Sequence, residues 1–156
     1  MVLIACIDDN KGMLFGGRRQ SRDAVVCADI LEDCICKGSS LYIDTYSEKI
    51  FKEFDCTNVK INVVTGIGSL ATDPDSAEEL PFEKDAHIFV ENVSPASFEK
   101  AADTIILYKW NRDYPYDMQL DIDLQNGNWA LSNCCEFAGK SHDKITKEIY
   151  TRVDEK

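Results

Sequence analysis

Histidine is scarce in this sequence, and long apolar runs are missing from it. The 156 residues include only two histidines, His87 and His142, and neither lies near a pair of cysteines. Because structural zinc needs four clustered nitrogen or sulfur ligands, a zinc site is not expected. The apolar runs are too short to cross a bilayer, and no secretory signal is recognisable at the N-terminus. The sequence therefore predicts a cytoplasmic protein without a membrane partner.

Positive charge is also limited. The chain has 17 lysines and arginines against 28 acidic residues, and its formal net charge is -11. Nucleic-acid backbones and anionic membranes attract basic surfaces, so neither is an expected partner. A hydrophobic content of 44% with 29% charged residues is typical of a folded globular protein. The length suits one domain that spans residues 1–156.

Cysteine, in contrast, is abundant, but its pattern does not match a disulfide framework or a metal motif. The number is odd and no CxxC pair occurs. These residues are expected to be small, reduced and buried hydrophobic side chains in a reducing compartment. The seven are Cys6, Cys27, Cys34, Cys36, Cys56, Cys134 and Cys135.

Apolar runs alternate with helical patterns over the first two thirds of the chain. The run VLIACI at 2–7 is typical of a strand that is buried on both faces of a parallel sheet. Residues 8–20 are polar and glycine-rich, which predicts a loop. A helix is expected from Ala24 to about Cys36, with Ser21 as its N-cap and Asp23 in the first turn. Further strands are predicted at 40–45, 59–65, 87–92 and 104–110, and further helices at 47–54 and 95–102.

The pattern changes after residue 110. Three extended segments, QLDIDL, NWALSNCCEF and KITKEIYTRV, follow one another without a helix between them. Alternating strands and helices imply a parallel sheet, and successive strands joined by loops imply antiparallel pairing. We therefore predict a single-domain α/β fold with a mostly parallel central sheet, flanking helices and antiparallel C-terminal strands.

This order of segments resembles the dihydrofolate reductase fold. VLIACIDDNKGMLFGG is similar to the first strand and mobile loop of that family, and SLYIDTYSEKIF stands where its next strand and helix occur. FVENVSPASFEKAADTIILYKW and YPYDMQLDIDLQNGNWAL resemble two later blocks. The chain also resembles small uncharacterised bacterial proteins, some of them labelled ribonuclease Z. Two isolated histidines cannot supply the HxHxDH metal motif of those nucleases.

The resemblance makes Asp23, in QSRDA, the counterpart of the family's catalytic carboxylate. On a helix, Asp23 would lie within about 40° of Cys27, Ile30 and Cys34, which directs it toward the sheet. Partial burial would raise its pKa and suit it to proton delivery. The alternative is an aspartate that only caps the helix and interacts with its dipole.

The cofactor positions of the family are not retained. Glu91 and Asn92 stand where the family has two glycines that let the backbone approach the dinucleotide phosphates. In DTYS, only Ser47 keeps a hydroxyl near the helix start. The resemblance therefore does not imply conventional NADPH-dependent reduction, and the cofactor remains unknown.

Three of the five arginines lie in GGRRQSRD, at Arg18, Arg19 and Arg22. Beside two glycines and a helix start, they could bind phosphate or carboxylate, or they could pair with acidic groups of the same chain. Asp121 and Asp123 form a DxD pair, which is typical either of a Mg²⁺ site or of an exposed edge strand. The segment AGKSH at 138–142 predicts a loop, with His142 in a structural or solvated position.

Two functional hypotheses follow. In the first, the protein binds a small anionic or nucleotide-like ligand, with or without a reductase activity that uses an altered cofactor. Asp23 would be its catalytic residue, and Arg18, Arg19, Arg22 and Ser47 would bind the ligand. In the alternative, a non-catalytic acidic protein acts by binding a protein partner. The sequence leaves open whether the protein is an enzyme.

Overall fold

The computed structural model describes residues 1–54, 57–70 and 82–153. The strands of this part of the chain are β1 (Val2–Ile7), β2 (Gly12–Phe15), β3 (Arg18–Arg19), β4 (Leu41–Asp44), β5 (Ile61–Val64), β6 (His87–Phe89), β7 (Thr104–Lys109), β8 (Met118–Gln119), β9 (Trp129–Phe137) and β10 (Ile145–Arg152). The helices are α1 (Ala24–Lys37), α2 (Glu48–Phe51) and α3 (Ala96–Glu99), with 3-10 turns at Thr45–Ser47 and Ile67–Leu70. Among these described residues, we find no helix with the length and apolar character to cross a membrane.

A seven-stranded sheet organises these elements in the order β5-β4-β6-β1-β7-β10-β9. Strand β1 is central and pairs in parallel with β6 and β7, and β4 pairs in parallel with β5 and β6. Strand β10 is antiparallel to both β7 and β9. The predicted parallel sheet with antiparallel C-terminal strands is therefore confirmed.

The hydrophobic core is divided by the sheet into two layers. Along β1, Val2 and Ile4 pack with α1, whereas Leu3, Ala5 and Ile7 face the opposite layer. This alternation follows from the two-residue period of a strand, and it explains why the whole VLIACI run is apolar. Helix α1 closes one layer with a buried stripe of five side chains, which are Val26, Cys27, Ile30, Leu31 and Cys34.

The loop predicted at 8–20 is wrong in part, because β2 and β3 form a hairpin within it. Gly16 and Gly17 connect the two strands, with φ of 58° and 75°. Two consecutive residues with positive φ give the turn whose twist matches a hairpin, and glycine adopts it without a steric cost. Strand β2 also pairs with β8, so a small three-stranded sheet forms beside the large one.

The strand predicted for QLDIDL is also wrong beyond its first residue. Only Met118 and Gln119 pair as β8, and the chain then leaves the strand conformation. The Asp121 carboxylate accepts hydrogen bonds from the Ser94 hydroxyl and the Ala96 amide at the start of α3. These two bonds hold Asp121 against the first residues of α3. The segment after Gln119 therefore packs at the start of that helix and does not extend the sheet.

The cysteines divide into two groups. Cys27 and Cys34 are buried and Cys6 is half-buried, as the sequence predicts, but Cys36, Cys134 and Cys135 are exposed. The expectation of burial is therefore wrong for the last three, which lie on the outer face of α1 and on the edge strand β9. Cys56 lies outside the described residues.

Candidate functional site

The candidate site lies where β1, β4 and β6 end and α1 begins. In a parallel sheet, this edge collects the loops that follow each strand, and ligand sites of open α/β sheets occur there. The buried carboxylate of Asp8 directly follows β1. Its two oxygens accept hydrogen bonds from the amides of Asn10, Gly12 and Tyr114 and from the Gln20 side chain. Asp8 thereby fixes the chain immediately before Ser21 and at residue 114.

Asp23 is the N-cap of α1, and not Ser21 as predicted. Its Oδ1 accepts the amides of Val25 and Lys140, each at 2.9 Å. Its Oδ2 accepts the Ser141 amide at 2.8 Å and lies 3.0 Å from Nδ1 of His142. Asp23 therefore joins the first turn of α1 to the loop at 138–144, and it is only 2% exposed.

The pKa of Asp23 is lowered to about 2, opposite to the predicted direction. Burial by itself raises this pKa, but the hydrogen bonds from Lys140, His142, Ser141 and Val25 outweigh it. Each of these donors favours the charged form of the carboxylate. Asp23 is consequently ionised near neutral pH and is a hydrogen-bond acceptor, not a proton donor. The side chain is buried, but Asp23 has the extended backbone of an N-cap, and its carboxylate faces the loop at 138–144 and not the sheet as predicted.

The ring of His142 is held on three sides. It is 3% exposed and stacks on Trp110, with 4.6 Å between the ring centroids and 21° between the planes. Because an ionised carboxylate only accepts, Nδ1 carries a proton that it donates to Asp23. In the neutral ring, Nε2 is then an acceptor, and it lies 3.0 Å from Ser21 Oγ and 3.2 Å from Tyr114 Oη.

Gly139 permits the loop at 138–144 to approach Asp23 closely. A Cβ atom at this position would contact Asp23 Oδ2 at a prohibitive distance and would lie 2.7 Å from Ile145 Cδ1. The Gly139 amide also donates to the carbonyl of His142, which closes the turn. A glycine is therefore needed for the amides of Lys140 and Ser141 to reach the carboxylate.

A cavity of about 210 Å³ lies between α1 and α2 beside Asp23. Arg22, Lys140 and Ser141 contribute polar atoms to its wall, and Cys27, Ile50 and Phe54 contribute apolar ones. This volume suits a small molecule or part of a larger one. Of the three clustered arginines, only Arg22 lines this cavity.

Arg19 and Ser47 form a separate cluster with Glu91. Arg19 donates from Nε and Nη2 to the two Glu91 oxygens, at 2.9 and 3.1 Å, and also donates to the Tyr46 carbonyl. The Ser47 hydroxyl donates to Glu91 Oε2 at 2.6 Å. These contacts match the alternative that the sequence left open for the arginines, which is pairing with acidic groups of the same chain. Arg18 is exposed on β3.

Both DxD carboxylates accept hydrogen bonds from other groups of the chain. Asp121 binds the start of α3, and Asp123 accepts the Gln125 amide. Among the described residues, no cluster of three or more histidine, cysteine or acidic side chains has the geometry of a metal site.

Sequence reasoning missed His142 and Tyr114 as members of the site. The loop at AGKSH is as predicted, but the local sequence does not show that the loop folds onto Asp23. The available signal was Gly139 followed by Lys140 and Ser141, since a glycine before consecutive free amides is typical of a backbone that surrounds an anion. The anion here is a carboxylate of the same chain.

Comparison with known proteins supports the fold and does not extend to function. No protein-family model matches the sequence, and no curated protein matches it. Among solved structures, the chain is similar to the dihydrofolate reductase from Enterococcus faecalis complexed with NADP(H) and RAB-propyl. That similarity has a TM-score of 0.63 at 13% identity, and it covers 98% of this chain and 96% of the other. The fold is therefore dihydrofolate reductase-like.

Proposed function

We propose that this dihydrofolate reductase-like protein binds a small anionic molecule in the cavity between α1 and α2. The observation that carries the proposal is the pair of cations, Arg22 and Lys140, on the wall of a cavity at the carboxyl edge of the sheet. Pockets at this edge are the usual ligand sites of open α/β folds.

The local charge supports an anionic ligand although the whole chain is acidic. The Asp23 carboxylate already accepts four hydrogen bonds, so its charge is compensated within the protein. Within the described parts of the chain, neither Arg22 nor Lys140 forms an ion pair. Both side chains are exposed, and Glu53 is the other acidic residue of the wall. A carboxylate or phosphate group would give the two cations a partner.

A dinucleotide cofactor does not fit the residues that are present. Glu91 and Asn92 occupy the positions where the resemblance places a glycine pair, and Glu91 is bound by Arg19 and Ser47. A phosphate there would meet a carboxylate and would lack the close approach that glycine gives. We therefore propose no hydride transfer, and the ligand that we propose occupies the α1–α2 cavity instead.

A thermal-shift screen followed by calorimetry tests this function. Inorganic phosphate, citrate, folates, nucleotides, NADH and NADPH are added at millimolar concentration to the wild-type protein. We expect at least one anion to raise Tm, since ligand binding stabilises the folded state. R22Q and K140Q should each weaken its affinity by about tenfold, which is typical of losing one charge-assisted hydrogen bond.

R112Q is the matched control, because Arg112 is an exposed arginine that does not line the cavity. It removes the same charge from the chain and should leave the affinity unchanged. R18Q tests whether the exposed Arg18 takes part in binding, since its affinity for the anion should fall below that of the wild type only if Arg18 contacts the ligand. A screen in which no anion raises Tm would overturn the proposal and would favour the alternative, in which the acidic protein binds a protein partner.

A further inference from the structure

Three side chains of the site lie in a row that the proposed ligand binding does not use. Ser21 Oγ is 3.0 Å from Nε2 of His142, and Nδ1 of the same ring is 3.0 Å from Asp23 Oδ2. A hydroxyl, an imidazole and an ionised carboxylate in this order and at these distances are the parts of a nucleophilic triad. Triads occur on unrelated folds and are recognised by geometry, so the fold does not argue against one.

The protonation states match the roles. Asp23 is ionised because its pKa is lowered to about 2. It therefore accepts the Nδ1 proton of His142, and Nε2 is left as the acceptor that faces both the Ser21 and the Tyr114 hydroxyls and can take a proton from Ser21. The ring cannot easily rotate, since Trp110 stacks on one face and the turn closed by Gly139 holds its backbone.

The position of Ser21 also suits a nucleophile. Ser21 is partly exposed and directly precedes Arg22, which lines the cavity. It lies two residues before the N-cap of α1, where the first-turn amides have no intrahelical partner. Asp23 takes the amide of Val25, and the start of a helix favours an oxygen that develops negative charge nearby.

We propose that Ser21, His142 and Asp23 hydrolyse a small carboxylic ester that carries an anionic group. Ser21 is the nucleophile and His142 the general base, whereas Asp23 is a positioning residue that acts through His142. The anionic group would occupy the α1–α2 cavity, so this part of the inference rests on the proposed function. The triad itself does not.

The reaction balances with water as the second reactant. Ser21 Oγ attacks the carbonyl carbon while its proton passes to His142 Nε2. The ester C–O bond then breaks, and the alcohol leaves with that proton. Water attacks the acyl-serine in the same way, which releases the carboxylic acid and returns a proton to Ser21. No oxidant or reductant is needed.

Covalent labelling of the intact protein tests the triad without knowledge of the substrate. The protein is incubated with an uncharged fluorophosphonate, which reacts with activated serine hydroxyls and not with the exposed cysteines, and the label is located by mass spectrometry of peptides. We expect one label, on Ser21. S21A should abolish it, and H142Q should slow it by about 100-fold, which is typical of losing a general base.

Two control variants test whether loss of the label is specific to the proposed triad. Ser40 is another partly exposed serine, and its contact with His87 is made by its backbone carbonyl, which S40A keeps, so S40A should label like the wild type. Y116F removes the hydroxyl of an exposed tyrosine outside the site, so it should also label. If H142Q does not fold, the triad is tested by the loss of label in S21A and by the position of the label in the wild-type peptides. A label that persists in S21A, or no label in folded wild-type protein, overturns the triad.

The two proposals can fail separately. A Tm shift with an anion but no label on Ser21 would retain ligand binding and overturn the triad. A label on Ser21 with no Tm shift for any anion would retain the triad and overturn the proposed ligand site.

Discussion

Burial and hydrogen bonding act in opposite directions on Asp23. A carboxylate that is 2% exposed would be expected to hold its proton if nothing else were considered. Three backbone amides and one imidazole converge on its two oxygens instead. The charged form is therefore the stable one, and the residue fixes the base of the proposed triad in one tautomer.

The lowered pKa of Asp23 predicts a specific loss of stability in acid. In the unfolded chain the pKa of an aspartate is about 3.9, and in the folded protein it is about 2. The ionised carboxylate thus contributes about 2 to 3 kcal/mol above pH 4, and this contribution disappears as the pH falls from about 4 to about 2. D23N should lower the free energy of unfolding by at least that amount at pH 7, measured by urea denaturation.

The same measurement near pH 2.5 should show a smaller difference between D23N and the wild type. D9N is the control, because Asp9 is exposed and its side chain is not in the site. A difference between D23N and the wild type that is equal at both pH values would contradict the proposed charge state of Asp23.

Strand β3 is short, and a side chain holds it to the main sheet. Its backbone pairs with β2, but Arg19 reaches Glu91 beyond β6 and stacks on the Tyr46 ring at 4.6 Å. Glu91 is 8% exposed, and its carboxylate accepts hydrogen bonds from Arg19 and Ser47. The pair connects the hairpin, the end of β6 and the start of α2 in one cluster.

Removal of both partners from this cluster should cost less than the sum of the two single removals. R19M leaves a buried carboxylate without its cation, and we expect it to lower the free energy of unfolding by about 3 kcal/mol. E91M leaves an arginine that can turn toward water, so a smaller loss is expected. In R19M/E91M the loss should be less than the sum of the two, as measured by a urea double-mutant cycle.

R18M is the matched control for that cycle. Arg18 precedes Arg19 on β3 but is exposed, and its replacement should change the stability by less than about 0.5 kcal/mol. Additive losses for R19M and E91M would show that the two side chains are not coupled in the folded protein.

At the scale of the whole molecule, the exposure of each cysteine shows whether its part of the surface is buried by the fold. Cys27 and Cys34 lie between α1 and the sheet, and burial raises the pKa of each thiol to about 12. Cys134 and Cys135 lie on β9, the last strand of the sheet, where residues 130–136 are all exposed. Burial limits access to Cys27 and Cys34, and their raised pKa lowers the fraction of thiolate, which is the reactive form.

Maleimide labelling should therefore occur in two stages. Cys36, Cys134 and Cys135 are expected to react within minutes in the native protein, whereas Cys27 and Cys34 should react only as the chain unfolds in urea. Peptide mass spectrometry assigns each site. Rapid native labelling of Cys27 or Cys34 would contradict the packing of α1 on the sheet.

Much of the fold was predictable because periodicity is a local property. VLIACI, the Ala24–Lys37 helix and the antiparallel end of the chain were correctly placed from apolar spacing alone. The β2–β3 hairpin was missed because its polar and glycine-rich residues were assigned to a loop. The QLDIDL strand was predicted too long. Its alternation of apolar and acidic residues is equally consistent with a loop whose Asp121 carboxylate binds the start of α3.

Single residues of the candidate site were predictable from the sequence, but their partners in space were not. The sequence placed Asp23 at the start of α1, and it identified Arg22 beside it. It could not place His142, which is 119 residues from Asp23 in the chain and 3.0 Å from it in the fold. Nor could it divide the arginines between Arg19, which binds Glu91, and Arg22, which lines the cavity.

The composition and the apolar pattern fixed the class of fold, because burial of apolar faces depends on spacing along one segment. The charge state of Asp23, the partner of Arg19 and the row of Ser21, His142 and Asp23 depend on segments that meet only after folding. Hydrogen bonds and electrostatic interactions act over a few ångströms in space, and the local sequence does not identify their partners. For this reason the chemistry of the site depends on the tertiary structure, in which the loop at 138–144 closes on the start of α1.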